Sequence, residues 1–277
     1  MKNTMDYLTI ALPKGKLFSL SADLLAKAGY TAEGLSDKSR KLVISNEEKK
    51  IRFIVSKTAD VPTYVEYGAA DIGVIGKDVL LESGKDVYEL LDLGFGRCHL
   101  MMAVPKAEKR EKLVDYDHTR VATKFPHIAE QFFNKHGMQM EYIKLNGSIE
   151  LGPIVGLSES IVDIVETGTT LRENDLEEIA YILDATARLI VNRVSFKLKF
   201  DRISQLTEEL RKILELEQQA KAEDDGLTDK LMEIIITLRQ DARKEKNWAV
   251  ADKIRDALKD AGVVLEDTPS GVRWKKA

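Results

Sequence analysis

Up to about residue 190 the chain alternates short apolar runs rich in β-formers with amphipathic stretches of helical spacing. The runs predict strands at Leu8–Leu12, Lys41–Ser45, Ile51–Val55, Asp71–Ile75, Leu100–Val104, Arg120–Thr123, Tyr142–Leu145 and Ile161–Val165. Leu17, Leu20, Leu24 and Leu25 share one face of a helix over Leu17–Ala28, which Gly29 ends. Another helix starts at Asp60, an expected N-cap, with Pro62 in its first turn. Strands alternating with helices predict α/β layers, and nearly two hundred residues of them predict two lobes with a cleft between.

Beyond residue 192 the pattern changes. Phe200, Ile203, Leu206, Leu210 and Ile213 recur at helical spacing in a charged background. The run Gln218–Asp225 followed by Gly226 is expected to end that helix in a linker. Two further apolar stripes follow, Leu231, Ile234, Ile235 and Leu238, then Ala251, Ile254 and Leu258 after Asn247 as N-cap. Val263–Glu266, a turn at Pro269-Ser270-Gly271, and Val272–Trp274 predict a hairpin. These stripes and the hairpin are expected to share one small core.

Composition narrows the classes. The 277 residues suffice for two domains, and 44% apolar with 32% charged residues is ordinary for a globular protein. A net charge of −4 argues against a generic nucleic-acid binder, so an anion site must come from local cations and amides. The lone Cys98 excludes a disulfide or cysteine metal site within one chain and is expected in the core. No apolar run reaches the roughly 20 residues of a membrane helix. The first residues show no signal-peptide pattern, so the cytoplasm is the expected location.

Two segments carry candidate chemistry. In Ile161–Leu171 an apolar strand ends with Asp163 and Glu166, then Thr167, Gly168, Thr169 and Thr170 open a helix. Such a turn presents amides and hydroxyls to an anion, and the acids suit sugar hydroxyls or a Mg²⁺-bound ligand. Alone, it fits an ordinary strand–loop–helix with Thr as N-cap equally well. In Leu12–Leu17 another strand meets a helix through Lys14, Gly15 and Lys16, suited to a polyphosphate with Gly15 allowing close approach. Two solvated loop lysines fit as well. His99 and His127 lack metal-ligand spacing.

Together these segments resemble the catalytic subunit of short-form ATP phosphoribosyltransferase. The stretches are IALPKGKL (10–17), DVPTYVEYGAADIGVIGKDVL (60–80), DLGFGRCHLMMAVP (92–105), VATKFPHIAEQFF (121–133), IKLNGSIELGPIVG (143–156), IVDIVETGTTLREN (161–174) and ARLIVNRVSFK (187–197). The resemblance implies an α/β fold of two lobes of the type II periplasmic-binding-protein kind, and the later pattern adds a long helix and a small helical domain with a β-hairpin. The implied division is a catalytic region at 1–221, with lobe one about 1–92 and 176–221 and lobe two about 93–175. A linker at 222–226 and a small domain at 227–277 complete it.

The implied reaction is a pentosyl transfer, joining N1 of ATP to C1 of 5-phosphoribosyl 1-pyrophosphate with Mg²⁺ and releasing pyrophosphate, the first step of histidine biosynthesis. Glu166–Thr170 would hold the 5-phosphate, and Asp163 the ribose hydroxyls. Lys14, Gly15 and Lys16 would face nucleotide or pyrophosphate oxygens, with Lys57, Arg97 and Ser148 as further cleft candidates. Many relatives carry arginine at the positions of Lys16 and Lys57, so a bidentate fork is lost there and the charge kept.

No ligand-binding regulatory domain of the long form is seen, and the short form implies a separate subunit similar to histidyl-tRNA synthetase in a hetero-oligomer. The segment LRQDARKEKNWAVADKIRDALKDAGVVLEDTPSGVRWKK resembles the C-terminal domain of bacterial cysteinyl-tRNA synthetase. It is expected to be a folded appendage that aids stability or assembly, with RNA contact the lesser alternative. A non-catalytic solute-binding protein of the same fold and an RNA-binding adaptor are the rival functions.

Overall fold

The computed structural model describes residues 6–166, 168–245, 247–268 and 271–276, with the backbone alone at 221–230, 266–268, 271–273 and 275–276. The chain forms two compact units, Met1–Leu214 and Glu215–Ala277.

In the first unit, lobe one is built on six strands: β1 (Leu8–Pro13), β2 (Val43–Asn46), β3 (Ile51–Ser56), β4 (Ile72–Gly76), β5 (Tyr88–Asp92) and β11 (Ala187–Val191). Their order is β2-β3-β1-β4-β11-β5, with β3, β1 and β4 parallel and β11 antiparallel to β4 and β5. β1 is buried along its whole length, which is why it reads as an apolar run that only Thr9 interrupts. Helices α1 (Lys16–Lys27), α2 (Val61–Glu66) and α3 (Lys77–Ser83) follow the three parallel strands. Phe18, Leu24 and Leu25 of α1 enter the core beside Leu8, Ile10 and Phe53. Gly29, at φ +81°, ends α1, with Tyr30 N bonding to Leu25 O at 2.8 Å.

Lobe two holds β6 (Cys98–Pro105), β7 (Arg120–Thr123), β8 (Glu141–Lys144), β9 (Ser160–Val165) and β10 (Leu176–Ala185), in the order β10-β6-β9-β7-β8. β9 and β8 flank β7 in parallel, and β6 runs antiparallel to β9. Helices α4 (Pro126–Lys135), α5 (Leu151–Ile154) and α6 (Thr169–Glu173) complete it. Its core centres on Tyr116, Phe125 and Phe133, with Leu100, Val121 and Val162.

Two crossovers join the lobes, at 93–97 and at Thr186. They bond to each other, Leu93 N to Ala187 O and Ala187 N to Phe95 O, both at 2.9 Å. Asp92 fixes both: its carboxylate accepts from Gly94 N at 2.9 Å and Thr186 Oγ1 at 2.8 Å, and pairs with Arg188 at 2.8 Å. The return crossing is therefore at Thr186, whereas the sequence placed it near Asp175. Leu176–Ala185 belongs to the lobe-two sheet, paired with β6 from Leu176↔Pro105 to Ala185↔Cys98. Two register shifts interrupt that pairing and break the alternation by which a strand is recognised. Three strands, β5, β10 and β11, were thus not anticipated. Asp60 precedes α2 as expected, but its side chain makes no capping bond.

After β11, Asn192 caps α7 (Arg193–Leu198) by accepting from Val194 N and Ser195 N. Then α8 runs unbroken over Phe200–Lys244. Ile203, Leu206 and Leu210 are buried in the lobe-one core. The expected linker at 222–226 is helical backbone within α8. Its flanks are rich in Ala, Glu, Gln and Lys, all good helix formers, and one glycine costs only about 1 kcal/mol.

The second unit takes the rest of α8 with α9 (Trp248–Asp260) and an antiparallel hairpin, β12 (Val263–Thr268) and β13 (Gly271–Lys276). Asn247 caps α9, its side chain accepting from Val250 N. The turn residues Pro269 and Ser270 lie outside the described residues. Met232, Ala242, Ala251 and Leu258 are buried, whereas Leu231, Ile234 and Leu238 are 49–57% exposed. Three of the four residues of the expected stripe therefore face outward, with Ile235 half-buried, and the fully buried position is Met232. Apolar residues surround the helix at 231–238, so periodicity alone could not choose the face. Among the described residues no helix is long and apolar enough to cross a membrane.

Candidate active site

Both lobes present the C-terminal ends of parallel strands to the cleft, where loops leave the sheet and backbone amides lack strand partners. On lobe one, β1 pairs with β3 through Pro13↔Ser56, and Lys14 N bonds to Ser56 O at 2.9 Å. Lys14 and Lys57 therefore follow adjacent strand ends. Both are exposed, and neither forms an ion pair with another described residue. Gly15, at φ +88°, makes the turn into α1, a conformation that glycine adopts without strain. Lys16 opens the helix.

Arg97 reaches the same region through the crossover. Gly96 lies against the first turn of α1: a Cβ there would meet Leu17 Cδ2 at 2.5 Å. Arg97, exposed, is the next residue, and Cys98 is buried behind it. Burial pushes the Cys98 thiol up to about 11, with further contributions from Asp78 and Glu166. The cysteine is thus a packed, protonated residue at the back of the cleft, in keeping with the core role expected of it.

On lobe two, a cavity of about 360 Å³ is lined by Glu150, Asp163, Glu166, Gly168, Thr169 and Thr170, among others. Asp163 is on β9, and its Oδ1 accepts from Ile164 N at 2.8 Å. Burial pushes its carboxyl up to about 6; Glu150 raises it further, while the Ile164 amide and Lys124 pull it down. A cleft carboxyl with so raised a pKa is a candidate functional group. Gly168, at φ +69°, precedes α6 and turns the loop toward β10: a Cβ there would lie 3.4 Å from Glu178 Oε1. Arg172 Nη2 donates to Thr169 Oγ1 at 3.2 Å. Thr167 lies outside the described residues.

The walls meet in an ion pair, Lys16 Nζ to Glu166 Oε2 at 2.7 Å, across 150 positions of sequence. A second bridge is Glu82 of α3, whose carboxylate accepts from His127 N and Ile128 N at 3.3 and 3.2 Å. It satisfies two of the orphan amides that open α4. Of the nominated residues, the structure gathers Lys14, Gly15, Lys16, Lys57 and Arg97 around one wall, and Asp163, Glu166 and Gly168–Thr170 around the other. Ser148 follows the edge strand β8, exposed at φ +49°, and Glu150 two residues later lines the cavity.

Glu150, Asp78, Lys124 and Glu82 were not nominated from sequence. The signal for Lys124 lies in register: Thr123 pairs with Val162, which sets Lys124 beside Asp163.

Residues 57–212 match the ATP phosphoribosyltransferase family. A relative of that name from Desulfitobacterium hafniense (strain Y51) is 55% identical over 216 residues, covering 76% of this chain and 97% of its own. The chain belongs to the ATP phosphoribosyltransferase family.

An ATP phosphoribosyltransferase from Caldanaerobacter subterraneus is 54% identical over 210 residues, 76% of this chain and 99% of the relative. Among solved structures, a chain described as the ATP phosphoribosyl transferase (HisG:HisZ) complex from Thermotoga maritima shares 34% identity at a TM-score of 0.66. The match covers 75% of this chain and 98% of that one. The substrate binding protein of an amino acid ABC transporter, 11% identical at a TM-score of 0.52, covers 79% of this chain and 98% of its own; it shares the fold alone. Residues 227–274 match the cysteinyl-tRNA ligase anticodon binding domain. The activity is accordingly that of a transferase at the first step of histidine biosynthesis, on the type II two-lobed fold.

Proposed function

We propose that the interlobe cleft is where N1 of ATP meets C1 of 5-phosphoribosyl 1-pyrophosphate, with the two walls dividing the ligands between them. The observation that supports this most is the facing of a cavity of acids and hydroxyls on one lobe by exposed lysines on the other. In the reaction the N1 lone pair forms the bond to C1, and the C1–O bond breaks with its electrons leaving on pyrophosphate. No strong base is needed for the attack. The transition state gathers positive charge on the ribose and negative charge on the leaving group, so positioning and electrostatics carry the rate. Asp163 would accept from the ribose hydroxyls, and Glu166 and Gly168–Thr170, with Thr167, would hold the 5-phosphate. Lys14, Lys16, Lys57 and Arg97, with Gly15 between the lysines, would take polyphosphate oxygens.

Mg²⁺ belongs to this scheme as a companion of the polyphosphate, where it would neutralise oxygens of the departing group. Among the described residues no group of three or more His, Cys, Asp or Glu is arranged to hold a metal. Glu150, Asp163 and Glu166 nevertheless line one cavity, a donor set that suits an ion arriving on substrate oxygens.

The likeness to a chain of the HisG:HisZ complex supports a regulatory partner similar to histidyl-tRNA synthetase, in a cytoplasmic hetero-oligomer. The second unit serves stability or assembly in this scheme; RNA contact is the lesser alternative. The test is pyrophosphate release from ATP and phosphoribosyl pyrophosphate by the purified chain, with and without such a subunit. We expect low activity alone, and a gain of both turnover and histidine inhibition with the partner. Full activity with direct histidine inhibition of the isolated chain overturns the partner assignment.

A further inference from the structure

We propose that Lys124 is a further substrate-facing residue, one that grips the pyrophosphate on C1 of the sugar substrate and so selects for a pyrophosphorylated sugar. The assignment rests on the division of ligands described above and adds to it where the leaving group lies.

β9 carries Asp163 between β6 on one side and β7 on the other. The loop that follows β9 bends toward the β6 and β10 side, where Gly168 approaches Glu178 and α6 packs on β10. Lys124 leaves the end of β7 on the opposite side, next to Asp163 by the register Thr123↔Val162. Phosphoribosyl pyrophosphate carries its 5-phosphate and its anomeric pyrophosphate at opposite ends of the ribose. With the 5-phosphate in the Gly168–Thr170 loop and the hydroxyls over Asp163, the pyrophosphate points to the β7 side.

The turn that bears Lys124 is held firmly. Thr123 Oγ1 donates to Val162 O at 2.6 Å and accepts from Phe125 N at 2.9 Å, so residues 123–125 are tied to β9. From lobe one, Glu82 accepts from His127 N and Ile128 N, which pins the start of α4 at the lobe boundary. The Lys124 side chain is exposed, with its ammonium 6.0 Å from the Phe125 ring and no ion pair to another described residue. Its charge lowers the pKa of Asp78 on lobe one and of Asp163 on lobe two, in keeping with its place beside β9 next to the lobe boundary. Glu150 also lines the cavity, and a polyanion arriving beside that carboxylate needs a cation near it. An unpaired ammonium in that position is suited to phosphate oxygens.

The test uses the full chain with its regulatory partner and compares wild type, Lys124→Met and Lys124→Arg. Two competitive inhibitors probe the two ends of the sugar substrate: inorganic pyrophosphate for the leaving-group site, and ribose 5-phosphate for the rest. Lys124→Met is expected to raise the KM for phosphoribosyl pyrophosphate and the inhibition constant of pyrophosphate about tenfold each. The KM for ATP and the inhibition constant of ribose 5-phosphate stay within twofold, about the scatter of such measurements, and Lys124→Arg recovers most of the loss. An unchanged pyrophosphate constant in an otherwise active Lys124→Met overturns the assignment. So does an equal rise for both inhibitors, which would mean that the cavity as a whole is disturbed. Wild type that releases no pyrophosphate from the two substrates overturns the underlying division of ligands, and this assignment with it.

Discussion

On lobe one, Lys14 and Lys57 stand exposed at the ends of neighbouring parallel strands; on lobe two, Asp163 is drawn into its sheet, with Glu150 and Glu166 around the same cavity. The backbone architecture is shared, strand ends opening into loops and helices. The charges differ in how they are held. The lysines keep their hydration and are loosely placed, so they hold little strain and can follow a mobile polyphosphate. The aspartate gives up hydration, and burial pushes its carboxyl up to about 6. In the proposed division, lobe two carries a destabilised, preorganised group beside the ribose, and lobe one carries adaptable cations that meet polyphosphate oxygens from the facing wall. A reaction that separates charge between two substrates is served by such an asymmetry.

The sharpest way to break the comparison is Asp163→Asn. The amide keeps the shape and loses the charge, so kcat/KM is expected to fall roughly a hundredfold or more, as when a preorganised electrostatic group is removed. Stability should move the other way. The carboxyl titrates near 6 folded and near 3.8 in its ordinary state, so its ionised form burdens the fold fully above pH 6. That burden shrinks as pH falls through 6 and is gone below 3.8. The variant should accordingly be more stable by on the order of 2–3 kcal/mol at pH 8. The gain should fade toward pH 4. In wild type, kcat/KM should lose activity on acidification with a midpoint near 6. A variant that is both inactive and less stable at pH 8 would show that Asp163 is structural.

Next in size comes Lys14→Ala, which removes one cation from the loosely held wall. Binding of the polyphosphate ligands should weaken by roughly 1.5–3 kcal/mol, read as a rise in KM, with no change in the acid limb set by Asp163. A shift of that limb would mean that the walls are electrostatically coupled and the division is false. Thr169→Ala tests the phosphate loop with a single hydroxyl. It should weaken phosphoribosyl pyrophosphate by roughly 1–3 kcal/mol and leave ATP binding alone, measured by calorimetric titration of each ligand.

Much of this contrast could be read from the chain. Lys14-Gly15-Lys16 and Asp163–Thr170 sit where strand pattern gives way to helix pattern, and such junctions lie at a sheet's edge in any α/β layer. Register was out of reach. Lys124 comes beside Asp163 only because β7 lies next to β9, a pairing between positions 39 apart that no local periodicity reports. Glu150 was equally out of reach, since the chain turns at positive φ at Ser148 and only then brings Glu150 to the cavity. The second unit was legible as elements and illegible as a packing, because a helix with apolar residues all round its surface does not announce its buried face. Gly226 shows the limit of reading glycine as punctuation, since the surrounding residues carry the helix through it.

The smallest expected effect concerns the contact that joins the two walls. Lys16 and Glu166 meet at 2.7 Å, but their side chains are 67% and 53% exposed. Ion pairs that wet are worth about 0–1 kcal/mol, because water screens the charges and two long side chains must be ordered. A double-mutant cycle of Lys16→Met and Glu166→Gln, read by thermal unfolding without ligand, should give a coupling below about 1 kcal/mol, smaller still at high salt. A weak pair is what the asymmetry requires: Lys16 must leave Glu166 readily to meet a polyphosphate. A coupling of several kcal/mol would make the pair a latch that substrate has to break, and the cations of lobe one would then not be the loosely held set contrasted here with Asp163.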